Sequence, residues 1–266
     1  ERISLLAADH NPVDEVRYFD AGRWPQHADG GGSSLELRDL DADNQLPETW
    51  AASDESHQSG WRTYSYRKRG TSNGGPNEWR DFVLGLLDAG EILLDDIRVV
   101  ESPDGNAVQF LTNTSFESGA TGWRMVGNHR LSRVITDPDN PGNKVLHLVS
   151  EGATEHMHNH IETTLAGGRS VNSSRVYEIS FRARWLTGSN QLHTRLYFNR
   201  AAQTTPIDRP LGVGTPSAPN SRSEANIGPG FTHFLHSPPV PDAGQPVTVT
   251  TTASDPDGIA SMSLYY

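Results

Sequence analysis

The sequence predicts an all-β protein, and three observations carry that prediction. No stretch keeps apolar residues at i, i+3, i+4 and i+7 over three turns, so the amphipathic helix pattern is missing. Short alternations of apolar and polar residues recur instead, separated by turn-forming residues. The apolar fraction is 34% and the mean hydropathy −0.59. That is low for a helical globule but sufficient for a sandwich, where only alternate residues of each strand face the core. The 25 glycines and 17 prolines supply the turns.

Residues 1–55 read as a few strands with long loops. Alternation runs over 13–19 and 34–39, around Trp24-Pro25 and a Gly30-Gly31-Gly32 turn, and a polar loop leads to Trp50-Ala51-Ala52-Ser53. Over 60–200 the pattern predicts strands near 61–67, 79–87, 91–100, 108–112, 123–135, 144–150, 156–165, 175–186 and 190–199. Between them lie Gly74-Gly75-Pro76, Asp88-Ala89-Gly90, Pro103-Asp104-Gly105, Pro141-Gly142-Asn143, Gly167-Gly168 and Gly188-Ser189-Asn190. Residues 204–237 lack periodicity and are rich in Pro, Gly, Ser and Asn, as a connector would be. A new alternation starts at Pro246 and turns at Asp255-Pro256-Asp257-Gly258.

Composition limits the function classes. The formal net charge is −11, so the overall field does not draw the chain to nucleic acid or anionic lipid. Without cysteine there are neither disulfides nor thiolate metal sites. No apolar run approaches the ~20 residues of a membrane-spanning helix, so no membrane insertion is expected. Both ends read as cut within a longer polypeptide, whose flanking domains would be partners. No Gly-x-Ser-x-Gly, phosphate loop, His-Glu-x-x-His or dinucleotide fingerprint occurs, so no catalytic class is indicated.

Two stretches resemble known families. Val13-Asp14-Glu15-Val16-Arg17-Tyr18, Trp24-Pro25, Gly32-Ser33-Ser34-Leu35-Glu36-Leu37 and Trp50-Ala51-Ala52-Ser53 resemble the C-terminal half of a bacterial lamin tail domain, a small immunoglobulin-like sandwich. That family often closes with a Gly-Thr-Pro-Gly-x-x-Asn turn, and a similar one stands far downstream at Gly214-Thr215-Pro216-Ser217-Ala218-Pro219-Asn220. The resemblance implies that the intervening chain is inserted in the last loop of that domain. Leu111-Thr112-Asn113-Thr114-Ser115-Phe116-Glu117-Ser118-Gly119, Gly122-Trp123 and Tyr177-Glu178-Ile179-Ser180-Phe181-Arg182-Ala183 resemble jelly-roll carbohydrate-binding and galactose-binding-like modules. In those modules a stretch like Gly90-Glu91-Ile92-Leu93-Leu94-Asp95-Asp96-Ile97-Arg98-Val99 often comes last, whereas here it comes first. Either the module is circularly permuted, the favoured reading because residues 1–55 already belong elsewhere, or residues 60–100 finish a different module. The expected architecture is a jelly-roll sandwich plus a partial immunoglobulin-like sandwich. Its expected divisions are 1–55 (partial lamin-tail-like), 56–206 (jelly-roll module), 207–237 (connector with the closing turn) and 238–266 (start of an immunoglobulin-like domain). The families imply a secreted or cell-surface protein.

Strand alternation assigns faces. Over 177–185, Tyr177, Ile179, Phe181, Ala183 and Trp185 share the expected core face, which leaves Arg182 and Arg184 outward. Over 191–199, Leu192, Thr194, Leu196 and Phe198 point inward and Gln191, His193, Arg195, Tyr197 and Asn199 outward. The short connection suggests that the two strands pair as a hairpin with one continuous polar surface. Guanidinium and amide groups suit vicinal hydroxyls and an aromatic ring suits a pyranose face, so a polysaccharide or glycan is the expected partner, with acidic sugars favoured. An ordinary solvated sheet face has the same composition. His156, His158 and His160 alternate in Glu155-His156-Met157-His158-Asn159-His160-Ile161-Glu162, and a strand there would put all three on one face. They could contact the same ligand or share a metal with His193, His147 or Glu162, so a His-based metal-dependent hydrolase stays open beside a glycan binder and a spacer without ligand. Asp137-Pro138-Asp139-Asn140-Pro141-Gly142-Asn143 and Asp255-Pro256-Asp257-Gly258 are oxygen-rich turns that could hold a structural calcium, or simply turns.

Overall fold

A computed structural model describes residues 1–71, 80–154 and 156–265. The turn expected at 74–76, the first residue of the strand expected over 79–87, Glu155 and Tyr266 lie outside the described residues. The chain is all-β, with antiparallel strands and four single-turn 3-10 segments among the described residues. No helix among them is long and apolar enough to cross a membrane. Two compact units form, one from 1–29, 34–53 and 214–266, the other from 30–33 and 54–213.

In the first unit β1 (Arg2–Leu6) pairs with β2 (Pro12–Arg17), and β3 (Leu35–Leu37) with β4 (Trp50–Ala52). Trp24 is buried, with its ring 6.3 Å from that of Trp50.

The second unit is a β-sandwich. Its strands are β5 (Arg62–Arg69), β6 (Asp81–Leu86), β7 (Gly90–Glu101), β8 (Val108–Gln109), β9 (Trp123–Val126), β10 (Arg133–Asp137), β11 (Asn140–Ser150), β12 (His160–Thr164), β13 (Val176–Gly188), β14 (Gln191–Leu196) and β15 (Arg200–Pro206). One sheet has the order β10-β11-β7-β13-β5, with the short β8 on β7. The other has the order β15-β14-β6-β12-β9. The expected inward residues of 177–185 are all buried, and with Ile92 and Leu94 they join Phe82, Leu84, Leu86, Ile161, Leu192 and Leu196 in one apolar cluster. Full burial of each such side chain is worth about 1.5–3 kcal/mol, which makes this cluster the main support of the unit. Tyr66 hydrogen-bonds Thr194 Oγ1 at 2.7 Å, tying β5 of one sheet to β14 of the other.

The structure corrects several boundaries. The strand expected over 123–135 is broken by a 3-10 turn at Gly127–His129, because His129 is drawn into the interior. The strand expected over 190–199 stops at Leu196, and Asn199, with φ 53°, begins the turn into β15. Ile207, in the expected connector, is buried with the sandwich core, and the same stretch holds β16 (Gly230–Ser237), which pairs with β17 (Thr248–Ser254) in the first unit. Asp96, at φ 50°, interrupts the regular backbone of β7 beside the buried Asp95. The β7–β13 register shifts between Ser180 and Arg182, and Arg182 Nη1 lies 3.6 and 3.5 Å from the two carboxylates.

The largest correction concerns β13 and β14. They do not pair. β13 lies between β7 and β5, whereas β14 lies between β15 and β6 in the opposite sheet. Each carries a row of buried residues, apolar but for Thr194, and the two rows face each other across the core. Alternation gives the same signal for that arrangement as for a hairpin. The polar surface expected to run from Arg182 to Asn199 is therefore two surfaces on opposite sides of the sandwich.

In the first unit the buried Glu36 carboxylate accepts bonds from the Thr215 hydroxyl, from Ser221 Oγ at 2.9 Å and from the Arg222 amide at 3.0 Å. Asn220 Nδ2 adds a bond to Leu37 O at 2.9 Å. Burial pushes the Glu36 pKa up, but these donors outweigh it and hold the carboxyl below its usual value. Each buried donor left unpaired costs about 1–3 kcal/mol. Glu36→Ala is expected to destabilise the first unit by about 3 kcal/mol, read as faster hydrogen exchange in β3 and β4 with β7 and β13 unchanged; equal exchange in β3 and β4 would show that the carboxylate does not hold them.

Candidate functional site

The outer face of the five-stranded sheet carries a groove of about 650 Å³. Inward-facing Ile161 and Leu84 fix the side from which their neighbours project. Register then sets Arg124 of β9 opposite Glu162 of β12, Glu162 opposite Val83 of β6, and Val83 opposite Arg195 of β14. One step along, Gly85 stands opposite His193, and His193 opposite Thr204. Tyr197, Phe198 and Asn199, in the turn after β14, line one part of the groove, and Met157 and His158 another. The buried Arg200 donates from Nη1 to Tyr197 O at 2.7 Å and so braces that turn.

The charges of the groove are largely fixed in advance. Arg124 donates to Glu162 Oε1 at 2.8 Å, Asp81 Oδ1 at 2.9 Å and Thr164 Oγ1 at 3.2 Å. The second Glu162 oxygen faces His160 Nε2 at 3.1 Å. Burial raises the Glu162 pKa, but Arg124 and then His160 outweigh it and hold it below the usual carboxylate value. Both oxygens are bonded and the group stays ionised, so it is a poor proton donor. With Nε2 donating to Glu162, His160 is left with a buried Nδ1 that has no hydrogen-bond partner. His193 Nδ1 lies 3.0 Å from Thr204 Oγ1, and burial, then the charges of Arg195 and Lys68, lower its pKa. Burial also lowers the pKa of Arg195.

His129 lies beneath this face. It is fully buried, accepts from the Leu86 amide through Nε2 at 3.0 Å, and donates from Nδ1 to Asn128 Oδ1 at 2.6 Å. Those roles fix the neutral Nδ1–H tautomer. Burial, with a smaller contribution from His160, pushes its pKa down to about 4. The approach requires glycine at position 85, where a Cβ would come within 2.9 Å of His129 Nε2. Gly127, at φ 60°, plays the corresponding part for the histidine loop, since a Cβ there would stand 2.6 Å from His158 O and collide with Asn159 Oδ1.

Of the residues singled out from sequence, the groove gathers His158, His160, Arg195, Tyr197 and Asn199, while His193 lines an adjoining pocket that shares His160, Arg195 and Asn199 with it. Arg182 and Arg184 belong to the opposite sheet. Arg182 stacks over Trp61 at 5.0 Å, and Arg184 is buried, clipping Asp139 at 2.5 Å and the Ser56 carbonyl. Arg184 is thus a packing residue, because the 54–60 segment covers the sheet where alternation predicted solvent. Gln191 is exposed at the far end of β14 and does not line the groove. The three histidines do not share a strand face. His156 and His158 sit in a turn with rings 4.9 Å apart, and β12 begins only at His160. The turn forms because Asn159 reaches back to the Asn128 amide at 3.2 Å. Sequence reasoning missed Arg124, Asp81 and His129. Alternation around the buried Trp123 places Arg124 outward, but gives no hint that β9 lies beside β12.

No group of three or more His, Cys, Asp or Glu residues is arranged to hold a metal ion among the described residues. In the oxygen-rich turns Asp137 Oδ1 accepts from the Asp139 amide at 3.0 Å and Asp255 Oδ1 from the Asp257 amide at 2.8 Å, the ordinary bonds of Asx turns. No family model, no curated protein and no solved structure matches the chain.

The buried histidine has a consequence for pH. Its folded pKa of about 4 lies below the unfolded value of about 6.5, so the unfolded chain takes up the proton first. The stabilisation is complete above pH 6.5 and drains away as pH falls toward 4, by up to about 3 kcal/mol. His193 contributes with the same sign. We expect the thermal midpoint to fall between pH 6.5 and 4.5, before most carboxylates titrate, and His129→Gln to be less stable at pH 7 but flatter over that window. An unchanged slope in the variant would show that His129 is not the titrating group.

Proposed function

We propose that the second unit is a non-catalytic, jelly-roll-like carbohydrate-binding or adhesion module, borne by an extracellular or cell-surface polypeptide. The observation that carries this reading is the groove itself. Side chains from β9, β12, β6 and β14 converge on one face, with guanidinium, carboxylate, imidazole and amide groups beside the rings of Tyr197 and Phe198. A volume of about 650 Å³ falls in the range of small-ligand sites, and mixed planar donors beside aromatic rings are what a pyranose offers contacts to.

Binding is favoured over hydrolysis by the state of the carboxylates. Arg124 ties down Asp81 and Glu162 together, and Glu162 lacks the raised pKa that a general acid needs. A zinc hydrolase is less favoured, because the turn leaves His156 and His158 together but off the strand that carries His160, and no three His, Asp or Glu residues among the described ones are arranged to hold a metal. For the first unit we propose a lamin-tail-like sandwich closed by residues 214–220, and the bonds from Thr215, Ser221 and Arg222 to Glu36 support that reading.

Affinity electrophoresis against a panel of neutral and acidic polysaccharides tests the module. We expect retention by at least one class, weakened about tenfold by Tyr197→Ala or His160→Ala. Arg182→Ala and Gln191→Ala, outside the groove, should leave it unchanged. A folded protein retained by none of the panel would refute the binding reading and leave a spacer.

A further inference from the structure

We propose that the groove selects saccharides bearing a carboxylate, and that Arg195 is the residue that receives it. This rests on the carbohydrate-binding reading and narrows its ligand to uronate-type sugars.

The argument is one of unequal satisfaction between two arginines in the same cross-strand row. Arg124 spends its guanidinium on Asp81, Glu162 and Thr164. Among the described residues, the carboxylate whose charge acts on Arg195 is that of Glu162, across Val83, but its oxygens are already taken by Arg124 and His160. Arg195 is left half-buried, with no hydrogen bond and no ion pair among the described residues. Its neighbour on the same face supplies no anion: His193, opposite Gly85, carries no negative charge in any protonation state, and its Nδ1 is engaged by Thr204.

A partly desolvated cation without an acceptor is costly in the free protein, and a ligand that supplies the acceptor recovers that cost. The planar fork of a guanidinium matches a carboxylate bidentately, whereas a hydroxyl can accept only singly. Tyr197 and Phe198, whose ring centroids are 5.6 Å apart, line the same groove and offer an apolar surface to the body of the sugar. The partner chemistry is therefore a carboxylate on an otherwise neutral ring, rather than a neutral sugar or a densely sulfated one.

The test is isothermal titration of the intact chain with paired oligosaccharides: oligogalacturonate and its methyl ester, oligoalginate and its ester, neutral xylo-oligosaccharides, and dextran sulfate. We expect at least one free acid to bind tenfold or more tightly than its ester, with affinity falling as salt is raised. Arg195→Gln should remove that preference, a loss of about 10- to 100-fold for the acid and little for the ester. Arg195→Lys, which keeps the charge without the fork, should recover only part. Unchanged thermal midpoints, and for Arg195→Gln unchanged residual ester binding, establish that the fold is intact. Equal binding of acid and ester by the parent chain overturns the carboxylate inference while leaving the glycan reading standing. So does dextran sulfate binding that is strongest of all and fully kept by Arg195→Lys, because a point charge then suffices. Binding of none of these saccharides, nor of any in the wider panel, overturns both.

Discussion

The constraint on which the sandwich depends is the burial of one continuous apolar layer between two sheets. Tyr177, Ile179, Phe181, Ala183 and Trp185 of β13 supply one side, and Phe82, Leu84, Leu86, Leu192 and Leu196 supply much of the other. Once these residues face inward, every alternate neighbour is committed to an outer surface. Arg182 and Arg195, only thirteen positions apart, are thereby sent to opposite sides of the domain. The groove is a by-product of core packing: Glu162 and Val83 are outward because Ile161 and Leu84 are inward.

The groove is organised by its own hydrogen bonds. Arg124 cross-links β9, β12 and β6 through Glu162, Thr164 and Asp81, and Glu162 passes the constraint on to His160. Below this layer His129 bonds the backbone of β6 itself, in a space that exists only because residue 85 has no side chain. Such fixed polar groups need little reordering when a ligand binds, which is the physical advantage of a rigid sheet face over a mobile loop. The same bonds hold the Glu162 carboxyl below its usual pKa.

The first unit shows the same economy at a single residue. Glu36 is a carboxylate in the interior, where an unpaired charge would be costly, and its donors come from a segment about 180 residues further along the chain. A short strand pair such as β3–β4 is marginal by itself. The long-range bonds to Glu36 and to the backbone of Leu37 supply what the local pairing lacks.

The sequence by itself determined the fold class, most strand positions and the inward residues of β13 and of β14 as far as Leu196, because alternation with period two is written locally in the order of residues. Phe198, expected inward, lines the groove instead, because β14 has ended before it. It also determined that Arg195, His193, Tyr197 and Asn199 would lie together, since they share one strand and its following turn. Tertiary structure alone decided which strands are neighbours. The identical alternation of β13 and β14 is compatible with a hairpin or with two facing sheets, and only the competition of β7, β5, β6 and β15 for their edges chooses the second. That choice buried Arg184 under residues 54–60, removed Arg182 from the site, and brought in Arg124 and Asp81 from strands far away in sequence. The histidine run bent into a turn for a similar reason: Asn159 and Gly127 meet across the fold, and no local pattern records a contact made over thirty residues.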